Sequence, residues 1–220
     1  MTQPSRVPAQ DRSKRTRQRI IETSASVLER KGYAATSLDE IAVEMGMSRG
    51  VLYHHFRSKA VLTEAVVQSH YERWDELTSR VRERGLPPLL RIITLTYEVA
   101  RNSQIDPVVR AGLRMQLEHA IIEGDLGHAL ATPYVKWIEH LTVIVADGQA
   151  SGEIIREVAA DELASNLVES YFGIQYVSFR LCNGVDLLGR VNRWWNILLP
   201  AIATPTWLVA NQEPAAQRGR

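Results

Sequence analysis

The sequence predicts an all-α protein, on three observations. Apolar residues recur at helical three- and four-residue spacing along the chain. No stretch alternates apolar and polar residues between hairpin turn signals. Glycines and prolines punctuate the periodic segments, with acceptable caps beside them.

Each element follows from local signals. A first helix is expected from about Lys14 to Arg30, with Ile20, Ile21, Ala25, Val27 and Leu28 on one face and Gly32 as its stop. A second starts at Thr36 or Ser37, each followed three residues on by an acid (Asp39, Glu40), and ends at Gly46. A third opens at Ser48 and is over by Phe56. Ser58 caps a fourth that runs to about Arg84, roughly 40 Å at 1.5 Å per residue. Gly85-Leu86-Pro87-Pro88 breaks the chain, and a fifth helix follows to about Asn102. Asp106-Pro107 and Thr132-Pro133 each pair a cap with a first-turn proline, which starts a sixth helix (to Gly124) and a seventh (to Gly152). Asp161 opens an eighth, ended by Asn183-Gly184, and Asp186 a ninth, ended near Pro200. The tail from Thr204 is expected to fray.

Composition narrows the function classes. The 220 residues are 45% apolar and 23% charged, ordinary globular values that exclude disorder throughout and collagen-like repeats. The single cysteine, Cys182, makes no internal disulfide, and there is no CxxC to clamp zinc. No apolar run reaches the roughly 18–20 residues of a membrane span, and the N-terminus lacks the apolar core of a secretion signal, so a cytoplasmic location is expected. The net charge of +1 conceals an asymmetry. Residues 1–59 hold 11 Lys/Arg against 6 Asp/Glu, and residues 60–220 hold 15 against 19. A basic first quarter points to a polyanionic partner for that part.

The segment 36–59 carries the chemistry. Two short helices meet at Gly46-Met47, a turn of helix-turn-helix type, with Ala42 small at the crossing. Ile41, Val51, Leu52 and Phe56 can bury against the first helix. The second short helix would then present Ser48, Arg49, Gly50, Tyr53 and His54. Arginine reads guanine edges bidentately, glycine admits the DNA backbone closely, and Tyr and His donate to phosphates. Ser58-Lys59 and Thr36-Ser37 stand at helix starts, where amide groups and the dipole favour phosphate. His54-His55 makes a poor metal pair, because adjacent helical residues point apart and a third ligand is lacking. No HExxH or GxGxxG motif occurs, and no catalytic residue, cofactor or metal is assigned.

Residues 14–62 resemble the DNA-binding domain of the TetR family of one-component repressors, through Gly32-Tyr33, Thr36, Ile41-Ala42, Gly46, Ser48, Gly50, Leu52-Tyr53, His55-Phe56 and Lys59. The resemblance implies a TetR-like fold: a three-helix helix-turn-helix domain, a larger C-terminal helical domain, a homodimer on a palindromic operator, and release of DNA by a ligand. The expected division is a flexible basic tail 1–13, a DNA-binding domain 14–60, a ligand-binding and dimerisation domain 61–203, and a flexible tail 204–220.

The remainder, through PVVRAGLRMQ (107–116), PYVKW (133–137), YFGIQYVS (171–178) and NILLPAIATP (196–205), is similar to the receptors for γ-butyrolactone-type autoregulators, which repress antibiotic biosynthesis and their own genes. Tyr71, Gln116 and Tyr134 together resemble the methylenomycin-furan branch, where the corresponding residues hold the carboxylate and hydroxyl of a 2-alkyl-4-hydroxymethylfuran-3-carboxylic acid. Trp137 matches a pocket tryptophan of the subgroup, and Ser170 stands where butenolide-binding relatives carry a hydroxyl. Periodicity supports a pocket independently. Val67, Tyr71 and Trp74 share a face of the fourth helix, and Leu113, Gln116, Leu117 and Ala120 of the sixth. Tyr134, Trp137, Leu141 and Ile144 share one of the seventh, and Leu163, Leu167, Ser170, Ile174 and Val177 one of the eighth.

Polar residues inside apolar stripes need partners, and a ligand can supply them. The last two helices, rich in Leu, Val, Ile and Trp (Trp194, Trp195), are expected to form a four-helix bundle with a second copy. Two other readings stay open: a regulator of a multidrug efflux pump or an antibiotic-sensing pseudo-receptor, and, remotely, a helical enzyme.

Overall fold

The structure, a computed structural model, describes residues 9–118 and 125–211, except for the side chains of residues 9, 116, 117 and 125–133. Among the described residues there are ten helices and no strand, apart from an isolated antiparallel bridge between Ile154 and Ala203. They are α1 (Ala9–Ala35), α2 (Leu38–Glu44), α3 (Arg49–His55), α4 (Lys59–Glu83), α5 (Pro88–Ile105), α6 (Pro107–Glu118), α7 (Asp125–Ala150), α8 (Ala160–Cys182), α9 (Leu187–Ile202) and α10 (Pro205–Ala210).

The chain folds as two compact units. The first comprises residues 1–72 and 107–130, the second residues 73–106 and 131–220. The first therefore holds α1 to α3, the beginning of α4, and α6, a helix thirty-five residues further along the chain than Glu72. Its core is Ile20, Ile21, Val27, Leu28, Ile41, Leu52, Phe56, Leu62 and Val66, joined by Val108, Ala111 and Met115 of α6. The second unit buries Leu89, Ile92 and Ile93 of α5, Ile144 and Val145 of α7, Leu163, Leu167 and Tyr171 of α8, and Leu187, Val191 and Trp195 of α9.

Local chemistry explains most helix ends. Gly32 breaks α1 at φ +80, a conformation open to glycine. Ser37, not Thr36, is the N-cap of α2, accepting from the Glu40 amide. Ser48 caps α3 from the Val51 amide, and the Ser58 hydroxyl accepts from the Val61 amide at the start of α4. Asn183, in the left-handed region, ends α8.

Three boundaries differ from expectation. Helix α1 begins earlier than Lys14 and is already helical at Ala9. The Thr132-Pro133 start lies inside α7, which begins at Asp125; an interior proline removes one backbone hydrogen bond, and the later turns are anchored by buried Leu141, Ile144 and Val145. The tail from Thr204 does not fray at once: Thr204 caps α10 from the Trp207 amide, and burial of the Trp207 indole secures that turn.

Candidate nucleic-acid interface and effector site

Within the first unit, α2 and α3 meet at Gly46, whose φ of +63 allows the tight reversal. The Met47 amide donates back to the Ala42 carbonyl. Leu52 and Phe56 turn inward and are fully buried, so α3 must expose its other side. Ser48, Arg49, Gly50, Tyr53 and His54 are all exposed, as is the cap Ser37. A Cβ on Gly50 would meet nothing within 4 Å, which leaves the backbone bare toward solvent. A convex helix face of this kind, with one guanidinium, one phenol and one imidazole, fits a major groove. The Arg49 guanidinium is not idle: it forms a bidentate ion pair with the exposed carboxylate of Asp39 on α2.

Two of the sequence-predicted contacts have other occupations. Thr36 is buried (3% exposed), and its hydroxyl donates to the Gly32 carbonyl, so it cannot reach a phosphate without that bond opening. The Lys59 ammonium donates to the Tyr33 carbonyl at 2.9 Å and lies 4.3 Å from the centre of the Tyr33 ring. It ties α4 to the end of α1. On this geometry Arg49→Ala is expected to relax base discrimination by about 1–3 kcal/mol at one position per half-site, with phosphate contacts intact. Competition among duplexes substituted one pair at a time measures this; a uniform loss across all sequences would place Arg49 on the phosphates instead.

The end of α1 is also held by α6. The Tyr33 amide donates to Glu118 Oε2 at 3.0 Å. Arg114 donates to Glu118 Oε1 at 2.7 Å and to the Glu29 carbonyl at 2.5 Å, and Arg110 pairs with the Glu29 carboxylate at 3.3 Å. The α6 arginines thus serve ion pairs and helix ends. Their partner residue Glu29 lies some eighty positions away, beyond the reach of any local pattern.

The effector candidates divide between the units. Tyr71 is half-buried in the first, its ring 5.5 Å from that of His70. Gln116 lies on α6 in the same unit, and its side chain is outside the described residues. The second unit assembles a row of aromatic rings. Trp137 stacks on Trp74 at 3.3 Å with the planes 19° apart, Phe172 meets Trp137 at 6.0 Å, and Tyr134 meets Phe172 at 4.7 Å. Burial pushes the Tyr134 phenol up, so it stays a neutral donor. The imidazole of His140, edge-on to Trp74, is pushed down by burial and then by Arg91 and Arg82.

Ser170 does not join this row. It stands off the buried face of α8, its hydroxyl 3.5 Å from Asn166 Oδ1 at an exposed position. The buried face runs through Leu163, Leu167, Val168, Tyr171, Gln175 and Ser178, rotated by about one residue from the expected stripe. Val177, assigned to that stripe, is exposed. Tyr171 and Gln175 were therefore missed. The 3.6-residue period permits 167-171-175 as readily as 167-170-174, and only the packing partners choose between them.

Comparison with known proteins gives the following. Residues 20–66 match the family model described as bacterial regulatory proteins, tetR family, and residues 86–204 match the tetracyclin repressor-like C-terminal domain. The A-factor receptor protein of Streptomyces griseus is 30% identical over 197 residues, covering 89% of this chain and 67% of that protein. A structure described as a gamma-butyrolactone receptor (ArpA-like protein) superposes with a TM-score of 0.80 at 28% identity, covering 94% of this chain and 98% of the other. CprB of Streptomyces coelicolor, in complex with its biological operator sequence, superposes with a TM-score of 0.76 at 28% identity, covering 94% and 97%.

Proposed function

We propose that this chain, which belongs to the TetR family of bacterial regulatory proteins, is a cytoplasmic repressor that grips a palindromic operator as a homodimer and lets go on binding a small autoregulator. The observation that carries the reading is the outer face of α3: Arg49, Gly50, Tyr53 and His54, exposed together. The operator-bound and butyrolactone-receptor relatives support the DNA and ligand parts in turn. The ligand class is a γ-butyrolactone, a butenolide or a 2-alkyl-4-hydroxymethylfuran-3-carboxylic acid, and the controlled output is antibiotic biosynthesis.

Residues 14–60 supply the DNA-binding domain, with Ser37, Ser48, Arg49, Gly50, Tyr53 and His54 against the duplex. Thr36 and Lys59 act by holding the helix-turn-helix in shape. Residues 61–203 bind the effector and the second copy, with Tyr71, Gln116, Tyr134 and Trp137 toward the ligand and Ser170 as a weaker candidate. An alkyl chain among such rings contributes about 0.8 kcal/mol per buried methylene. Helix α4 runs unbroken from Lys59 to Glu83 and takes part in both units, so a displacement at its middle changes the setting of its first turn. A coupling of a few kcal/mol between ligand and DNA is enough to empty an operator.

Dimerisation follows from specificity, since one seven-residue recognition helix reads too few bases. Tyr176, Val177 and Leu181 of α8 and Ile197 of α9 expose large apolar side chains, Leu181 at 71% and Ile197 at 78%. Leu181→Glu and Ile197→Glu are expected to give folded monomers in sedimentation velocity, with operator affinity down at least about a hundredfold. A variant that stays dimeric would move the interface elsewhere. The function as a whole is tested on an operator selected by the protein from random duplexes. Addition of butyrolactone, butenolide or furan acid should dissociate it in a gel shift; dissociation by antibiotics alone would favour an efflux or pseudo-receptor role, and no selected sequence at all would end the DNA reading.

A further inference from the structure

Two side chains on the buried face of α8 are out of keeping with their surroundings. Tyr171 and Gln175 are 3% and 4% exposed and sit in the apolar core of the second unit. The Tyr171 hydroxyl and the Gln175 Nε2 have no hydrogen-bond partner among the described residues. Three neighbouring polar groups of that core are matched: the Trp195 Nε1 donates to Thr96, the Tyr97 hydroxyl pairs with Asn192 Oδ1, and the Ser178 hydroxyl donates to Asp186. Leaving a buried donor unmet is costly, and phenylalanine and leucine would fill the same space without that cost.

The pair lies one turn apart, about 6 Å along the helix axis, so one small group can meet both. Phe172, next to Tyr171, joins it to the aromatic row through Tyr134 and Trp137. We infer that Tyr171 and Gln175 are the polar anchors of the effector, donating an O–H and an N–H to a neutral carbonyl oxygen of a ligand whose apolar part lies on the aromatic row. The inference rests on the preceding reading that a small autoregulator is bound, and it narrows the class.

The donor set selects the chemistry. Burial holds the Tyr171 phenol protonated, so it donates and does not act as an anion. A carbonyl oxygen has two lone pairs and accepts both donors without a net charge. Along that face of α8, made of Leu163, Leu167, Val168, Tyr171, Gln175 and Ser178, no side chain is cationic, so a carboxylate placed against it gains no counter-charge from the helix to repay its desolvation. The site therefore suits the ring carbonyl of a lactone or butenolide above the acid group of a furan carboxylate.

The test is calorimetric titration of the full-length protein with an alkyl-substituted γ-butyrolactone and, separately, with a 2-alkyl-4-hydroxymethylfuran-3-carboxylic acid. Tyr171→Phe and Gln175→Leu are each expected to weaken lactone binding about tenfold or more, because each leaves the carbonyl short of a donor. The wild type should prefer the lactone to the acid. Thermal melting is the second readout: Tyr171→Phe should match or exceed the wild type, since it removes an unmet hydroxyl. Unchanged lactone affinity in both variants, a lowered melting temperature for Tyr171→Phe, or wild-type binding of the furan acid alone would overturn the assignment. If the wild type binds neither probe, the autoregulator reading itself falls, and this one with it.

Discussion

Gly32→Ala is expected to abolish operator binding and to lower the melting temperature by roughly 5–15 °C, from a stability loss of about 2–5 kcal/mol. Two costs combine. The backbone there holds φ +80 and ψ 173, a region essentially confined to glycine and worth about 1–3 kcal/mol of strain to any other residue. An added Cβ would also lie 2.6 Å from Glu118 Oε1 and 2.7 Å from Arg114 Nη2. Ends of long side chains usually move aside, but these are held by their own ion pair, by the Glu29 carbonyl and by the Tyr33 amide. Displacing Glu118 frees the Tyr33 amide, and the Gly32 carbonyl loses its alignment with Thr36, which opens the helix-turn-helix. Melting and gel shift check this together. Glu118→Ala should absorb part of the penalty, so the double variant should lose less than the two single losses added. A Gly32→Ala protein with wild-type melting and affinity would show that the kink carries no such demand.

Trp195→Ala is expected to cost about 3–5 kcal/mol, the range for emptying a fully buried tryptophan site. Its indole is completely enclosed among α5, α8 and α9 residues, and its Nε1 donates at 2.7 Å to the Thr96 hydroxyl. Truncation leaves both a cavity and a hydroxyl without its donor. Trp195→Phe should retain most of the packing and lose chiefly the hydrogen bond, about 0.5–1.5 kcal/mol. Chemical denaturation followed by circular dichroism separates the two. Equal losses for both variants would assign the effect to the hydrogen bond. Trp194 next to it is only partly buried, and its replacement should be far milder.

These two positions mark where the sequence was and was not legible. Gly32 was readable as a helix stop, because a glycine after an amphipathic run signals a left-handed residue within one turn. Ser37, Ser48 and Ser58 were readable for the same reason: a cap hydroxyl serves an amide three residues away. The two tryptophans were not separable. Both were assigned to a dimer bundle, and packing against α5 drew Trp195 inward. The helix start at Thr36-Ser37 predicts a phosphate contact for Thr36, whereas the kink at Gly32 turns its hydroxyl to a carbonyl inside the first unit. The resemblance and one apolar stripe both point to Ser170, whereas its neighbour Tyr171 is the residue turned inward, because a helix surface offers several stripes of equal period.

The sequence by itself determined the helices, most of their ends, the exposed face of α3 and the family to which the chain belongs. All of these depend on interactions within four residues or on motifs of fixed spacing. Only the tertiary structure decided that α6 closes on the end of α1, that Trp195 completes a core, and that α8 turns Tyr171 and Gln175 inward. Those outcomes depend on contacts between residues up to a hundred positions apart, and the identity of a partner that distant is not encoded in any local pattern.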